Sequence, residues 1–282
     1  MFLSTLEHLI RRRILLIALL AALAMLLLFW WGVSEASGAF ESGEISEGER
    51  HSPVSESDMA LGAVLLGSAA GSMLLTALTV ILCASVLPEE FETGRISLWA
   101  ALPISRTRLY IGSTGASLAC SAGIGVLLFG GVLLVTGLYL SFTPTAPIMA
   151  AVSMVGWLAV IWAAVTALSM VAGKIPAMLV TFGLCGIASF GGGMIQVGGI
   201  VPEVADSAVY GVASVFRMVF PADMALRGLL FGMMPAEGIV QEGMAFIGVS
   251  GSTPFWHPLY ALAWAAAVTA LGVLRFRRRD LP

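Results

Sequence analysis

Charge is what this chain has least of. Only 11% of its 282 residues are Asp, Glu, Lys or Arg, against 59% hydrophobic, and its mean hydropathy is +0.97. A water-soluble globular domain carries roughly a quarter of its residues as charge, so that class is excluded. Alternating ten-residue apolar and polar segments are also missing, which argues against a membrane barrel. Cysteine is nearly absent: Cys83, Cys120 and Cys185 all fall in apolar runs, without Cys or His neighbours at ligand spacing, and read as small core hydrophobes. Histidine is equally scarce, and His8, His51 and His257 are far apart in the chain. No G-x-x-x-x-G-K-[ST] phosphate loop occurs; Gly173-Lys174 lacks the first glycine and the hydroxyl.

What remains is a set of long apolar runs. About 20 such residues cross a hydrocarbon core of about 30 Å as helix. Six runs qualify, at 14–33, 60–86, 109–138, 148–172, 177–200 and 258–274. The expected fold class is therefore an all-α polytopic membrane protein with six transmembrane helices, forming a single transmembrane domain over 1–282. As drawn, none of the six contains Asp, Glu, Lys or Arg. Ion-coupled transporters and proton pumps need intramembrane ionisable groups, and a membrane-embedded enzyme needs a cluster of them, so both classes are disfavoured.

The segments between the runs are informative. Residues 1–13 set Phe2, Leu3, Leu6, Leu9 and Ile10 at helical spacing among Glu7, His8 and Arg11 to Arg13, the pattern of an interfacial amphipathic helix. Trp30 and Trp31 suit a membrane interface. The 34–58 stretch holds seven acids and one arginine and reads as an acidic outer loop. Residues 201–256 alternate ten-residue apolar pieces, 208–220 and 224–234, with prolines; these are too short to cross and too apolar to stay in water, as in re-entrant or interfacial helices. The fifth run carries Gly191 to Gly193 and Gly198-Gly199, which permit either a close backbone approach or a broken helix. With both termini on one side, that side holds eleven Lys/Arg and five acids, and the other three and twelve. The positive-inside rule places both termini, the 88–108 segment, Lys174 and the basic tail at 275–282 in the cytoplasm.

The 88–108 segment is the most polar island between two apolar runs, with Glu89, Glu90, Glu92, Arg95, Arg106 and Arg108. Ile96, Trp99 and Leu102 share one stripe of a short helix over 89–102, Pro103 breaks it, and Ser105 is placed to cap the helix that follows. Such a helix either transmits a push from a cytoplasmic partner or simply tiles the membrane surface.

Glu90-x-Glu92-x-Gly94 followed by Leu102-Pro103-Ile104-Ser105-Arg106 resembles the cytoplasmic loop of ABC-2 type transporter permeases, with Arg95 where threonine usually follows the glycine and Ser113 where lysine follows Gly112. The order of parts is similar over nearly the whole chain. Pro221-x-Asp223 and the Phe276 to Asp280 tail look most like the membrane subunit of the nitrous-oxide-reductase maturation transporter and its relatives. The resemblance implies a type V exporter-like permease of six helices in the cell (inner or plasma) membrane, dimerising with a second copy or a homologous permease. It docks two separate ABC ATPase subunits that carry ATP and Mg. It implies an ATPase-coupling interface of Glu89, Glu90, Glu92, Gly94, Arg95, Trp99, Pro103, Ser105 and Arg106, and an outer gate segment with Phe216, Pro221, Asp223 and Met224. No catalytic residue, cofactor or nucleic-acid partner is expected on this chain. Met218, Met224, Met233, Met234 and Met244 offer thioethers that could hold Cu(I), but no His or Cys joins them and they read as apolar filler, so no metal site is expected. The alternative from another class is a non-transporting membrane scaffold that binds a partner through its outer loop.

Overall fold

A computed structural model describes residues 13–41, 56–92, 105–140, 142–234 and 255–278. Among these residues the chain is helical throughout: α1 (Arg13–Glu41), α2 (Glu56–Glu92), α3 (Arg106–Tyr139), α4 (Pro147–Ala172), α5 (Lys174–Ile200), the single turn α6 (Pro202–Ala205), α7 (Ala208–Val219), α8 (Ala222–Met233) and α9 (Trp256–Arg278). Six of them, α1 to α5 and α9, are long and apolar enough to cross a membrane. In hydrocarbon every backbone N–H and C=O must be paired internally, which a helix does within itself. Several hydroxyls are satisfied in the same way. Ser113, Thr114, Thr136 and Thr166 each donate to a carbonyl one turn back in their own helix, at 2.7–2.9 Å.

Neighbouring helices alternate in direction, and cross-contacts define two ends. At one, Trp30 Nε1 of α1 donates to the hydroxyl of Tyr139, the last residue of α3, at 2.8 Å, and Thr145 N donates to Met234 O at 2.8 Å, joining the start of α4 to the end of α8. At the other, Arg106 Nη1 donates to Arg277 O at 2.9 Å, tying the start of α3 to the end of α9. Tyr110 packs on Phe276 beneath that bond. These are called the hairpin end and the basic end.

The helix α4 is central: 72% of its most apolar window is buried, against 11% for α1, whose Leu16, Leu20, Leu27 and Leu28 face outward. Its Trp157, Leu158, Val160 and Ile161 are wholly or almost wholly buried. Small residues set the helix distances, as expected where lipid supplies no hydrophobic drive. A side chain at Gly67 of α2 would strike Phe29 of α1, and one at Gly131 of α3 would strike Leu26 of α1.

Several helix ends differ from the expected ones. The 34–58 stretch is helical at both margins, because α1 continues to Glu41 and α2 begins at Glu56. The separate helix expected from 89 onward is replaced in its first residues by an unbroken α2 that runs through Pro88 to Glu92. A proline removes one hydrogen bond from an interior turn without necessarily ending the helix. The glycine-rich fifth run is one continuous helix, and α9 extends past 274 to Arg278. Between α4 and α5 only Gly173 leaves the helix, at φ 83°, a backbone state that glycine adopts without Cβ strain.

Ser105 caps α3: its side chain accepts from Arg108 N at 3.3 Å. Ser105→Ala is expected to cost about 1 kcal/mol, with Ser105→Asp retaining the cap. Thermal unfolding of the purified protein in detergent checks this, and equal midpoints for the two variants would overturn it.

Candidate functional site

Of the residues expected to form the coupling interface, those that are described lie at the basic end. Glu89, Glu90 and Glu92 belong to the last turns of α2, their side chains outside the described residues. Gly94, Arg95, Trp99 and Pro103 also lie outside them, as do the helix expected at 89–102 beyond Glu92 and most of the amphipathic helix expected at 1–13. Ser105 and Arg106 stand at the first turn of α3, both exposed. The Arg106 bond to the Arg277 carbonyl makes the end of this segment continuous with the last helix.

The residues expected to form the outer gate come together more fully. The pieces expected at 208–220 and 224–234 are α7 and α8, and they meet at 87°. The elbow is Phe220-Pro221: Pro221 precedes α8, and Phe220 is buried with its ring edge-on to Trp264 of α9. Phe216 packs one turn above Phe220. Met224 is buried, and so are Met233, which touches Ser68 Oγ of α2, and Met234, which packs on Leu61 of α2.

The elbow's chemistry centres on Asp223, whose side chain is 3% exposed. Arg227 Nε, one turn along α8, donates to Asp223 Oδ2 at 2.6 Å. Arg217 Nε, from the last turn of α7, lies 3.6 Å from the same oxygen and is buried without a hydrogen-bond partner. One carboxylate thus lies between two guanidinium groups. It sits against Gly192 of α5, where a side chain would collide with Asp223 and Arg227. Gly192 is eight residues from the Ile200 end of its helix, about 12 Å along the axis. Charge at that depth is costly unless paired, and one turn of α5 without side chains is what lets the pair enter.

Glycine performs this service repeatedly. Gly191 lies against Ala213 and Gly198 against Tyr210, so one face of α5 receives α7. Gly228 and Gly232, four apart on α8, lie against Ser153 and against the Ala146–Ala150 backbone of α4. The glycine run therefore serves close approach, the first of the two uses open to it.

Beside Asp223 a cleft of about 260 Å³ opens between α2 and α5, with Trp157 of α4 among its walls. Ser72, Thr76, Ser189 and the Asp223 carboxylate give it four polar groups in an apolar surround. Sequence reasoning singled out Asp223 but missed its partners. The signal was present: Asp223 and Arg227 are four apart, the spacing that places side chains together on a helix. Arg217 gave no such signal, since only the elbow brings it near. Among the described residues no group of three or more His, Cys, Asp or Glu is placed to hold a metal ion. No protein-family model matches the chain, and no curated protein sequence matches it significantly.

Proposed function

We propose that this chain is the membrane permease subunit of an ABC transporter of the ABC-2 type, exporting its substrate with ATP hydrolysed by two separate ATPase subunits. The observation that carries the reading is the pattern from Glu90 through Gly94 to Pro103-Ile104-Ser105-Arg106, standing between the second and third of six candidate spans. The Lys/Arg excess at the basic end makes that end cytoplasmic. Nucleotide-driven closure of an ATPase pair pushes on the 88–108 segment. Arg106 passes the displacement to α9 through Arg277 O, and α3 carries it across the membrane. The α7–α8 hairpin then acts as the outer gate, with Phe216, Pro221, Asp223 and Met224 at or beside its elbow. A second copy or a homologous permease completes the pathway.

Arg106→Glu is the test. Because a carboxylate at a helix N-terminus interacts favourably with the helix dipole, the substitution leaves α3 intact while reversing the charge offered to a partner. We expect the wild-type chain, purified from its native membranes in mild detergent, to bring a P-loop ATPase with it, and Arg106→Glu to lose that ATPase at unchanged insertion. Absence of any ATPase from the wild type, even after cross-linking, would overturn the reading and favour a scaffold. Undiminished ATPase recovery with Arg106→Glu would remove Arg106 from the interface.

A further inference from the structure

A groove of about 640 Å³ runs along the outside of the bundle at the basic end, between α3 and α9 and over α4. Its α9 wall is Leu262, Ala266, Thr269, Val273 and Arg277, one stripe at three- and four-residue spacing. The stripe from Leu262 to Arg277 is about 22 Å long, more than the roughly 15 Å of one leaflet. Alanines at 159, 265, 266 and 270 leave the trough open where larger side chains would fill it. Trp162 forms part of the floor and is fixed there by donating from Nε1 to Thr114 O at 2.8 Å. On the opposite wall are Thr107 and Ile111.

The groove is apolar along its length and charged at one end. Arg277 closes that end, and the hydrogen bond to its carbonyl brings Arg106 beside it. Arg108, Arg275 and Arg278 are exposed on the same end of the bundle, and among the described residues no carboxylate lines the groove. An apolar trough the length of an acyl chain, ending in guanidinium groups at the level where headgroups lie, has the chemistry of a phospholipid with a negative headgroup. We propose that this groove binds one anionic phospholipid, an acyl chain lying along the α9 stripe and the phosphate on Arg277 with Arg106. The site holds the α3–α9 junction together from the lipid side, and it stands independently of the transport reading.

Native mass spectrometry of the full chain, released from mixed micelles containing equal amounts of phosphatidylglycerol and phosphatidylcholine, tests this. The expected result is retention of one phosphatidylglycerol in preference to phosphatidylcholine. Each arginine near a membrane surface contributes roughly fivefold, so Arg277→Gln should reduce that preference about fivefold. Arg275→Gln, facing the other side of α9, should leave it unchanged. Ala266→Phe should reduce retention of the lipid while preserving the arginines, and millimolar inorganic phosphate should not displace it. Equal retention of the two lipids, equal effects of Arg275→Gln and Arg277→Gln, undiminished retention by Ala266→Phe, or displacement by phosphate would each overturn the proposal.

Discussion

Replacing Asp223 by alanine is expected to destabilise the protein by about 3–5 kcal/mol, the range found when one partner of a buried ion pair is removed. The carboxylate is 3% exposed and the Arg217 and Arg227 side chains are 18% and 12% exposed, so both guanidinium groups would lose a shared counter-charge in a site with little water. Their positions cannot simply relax. Arg227 is one helical turn from Asp223, and Arg217 is held by an elbow whose Phe220 is packed on Trp264. The measurement is the unfolding midpoint in detergent, read beside a charge-free variant combining Asp223→Ala with Arg217→Met and Arg227→Leu. Because a buried ion cluster replaced by apolar side chains of similar volume is often neutral, the triple variant should recover much of what the single one loses. An unchanged midpoint for Asp223→Ala, or a triple variant worse than the single one, would overturn this account of the elbow.

Gly232→Val is expected to separate α8 from α4. A Cβ at residue 232 would stand 2.6 Å from Ala146 O and 2.7 Å from Ala150 N. These are backbone atoms, so no rotamer change relieves the contact. Relief requires α8 to lift, which stretches the hydrogen bonds from Thr145 N to Met234 O and from Ala146 N to Gly232 O. Overpacking of this kind costs typically 1–3 kcal/mol and more where backbone must move. Gly130→Ala is the control: nothing lies within 4 Å of its Cβ position in the interior of α3, so it should be neutral or stabilising by up to about 1 kcal/mol. Similar losses of monodisperse protein and of unfolding midpoint for the two substitutions would mean that glycine content, and not the α8–α4 approach, sets stability.

The helices were readable because the signal is one of composition and length. Hydrocarbon admits no unpaired backbone, so an uncharged run of sufficient length has to be helical, and six such runs became six candidate spans. Their ends were less legible. The 34–58 stretch was expected as loop, yet α1 runs on to Glu41 and α2 starts at Glu56 and continues through Pro88. A single missing hydrogen bond or a solvated carboxylate does not stop a helix whose neighbours are already in place. The glycines of α5 were visible, but two uses were open to them. Only the arrival of Ala213, Asp223 and Tyr210 on that face decides in favour of close packing.

By itself the sequence determined the class, an all-α membrane protein, and the placement of short apolar pieces between the fifth and sixth runs, because burial of apolar length is additive along a chain. The tertiary structure alone decided that Arg217 joins Arg227 at Asp223, that Arg106 is joined to Arg277 across 171 positions, and that the α9 stripe is left open as a groove. Each of these depends on how helices pack. Which polar atoms meet is set by where neighbouring helices carry glycine or alanine and can approach, a property of pairs of segments that no single stretch of sequence contains.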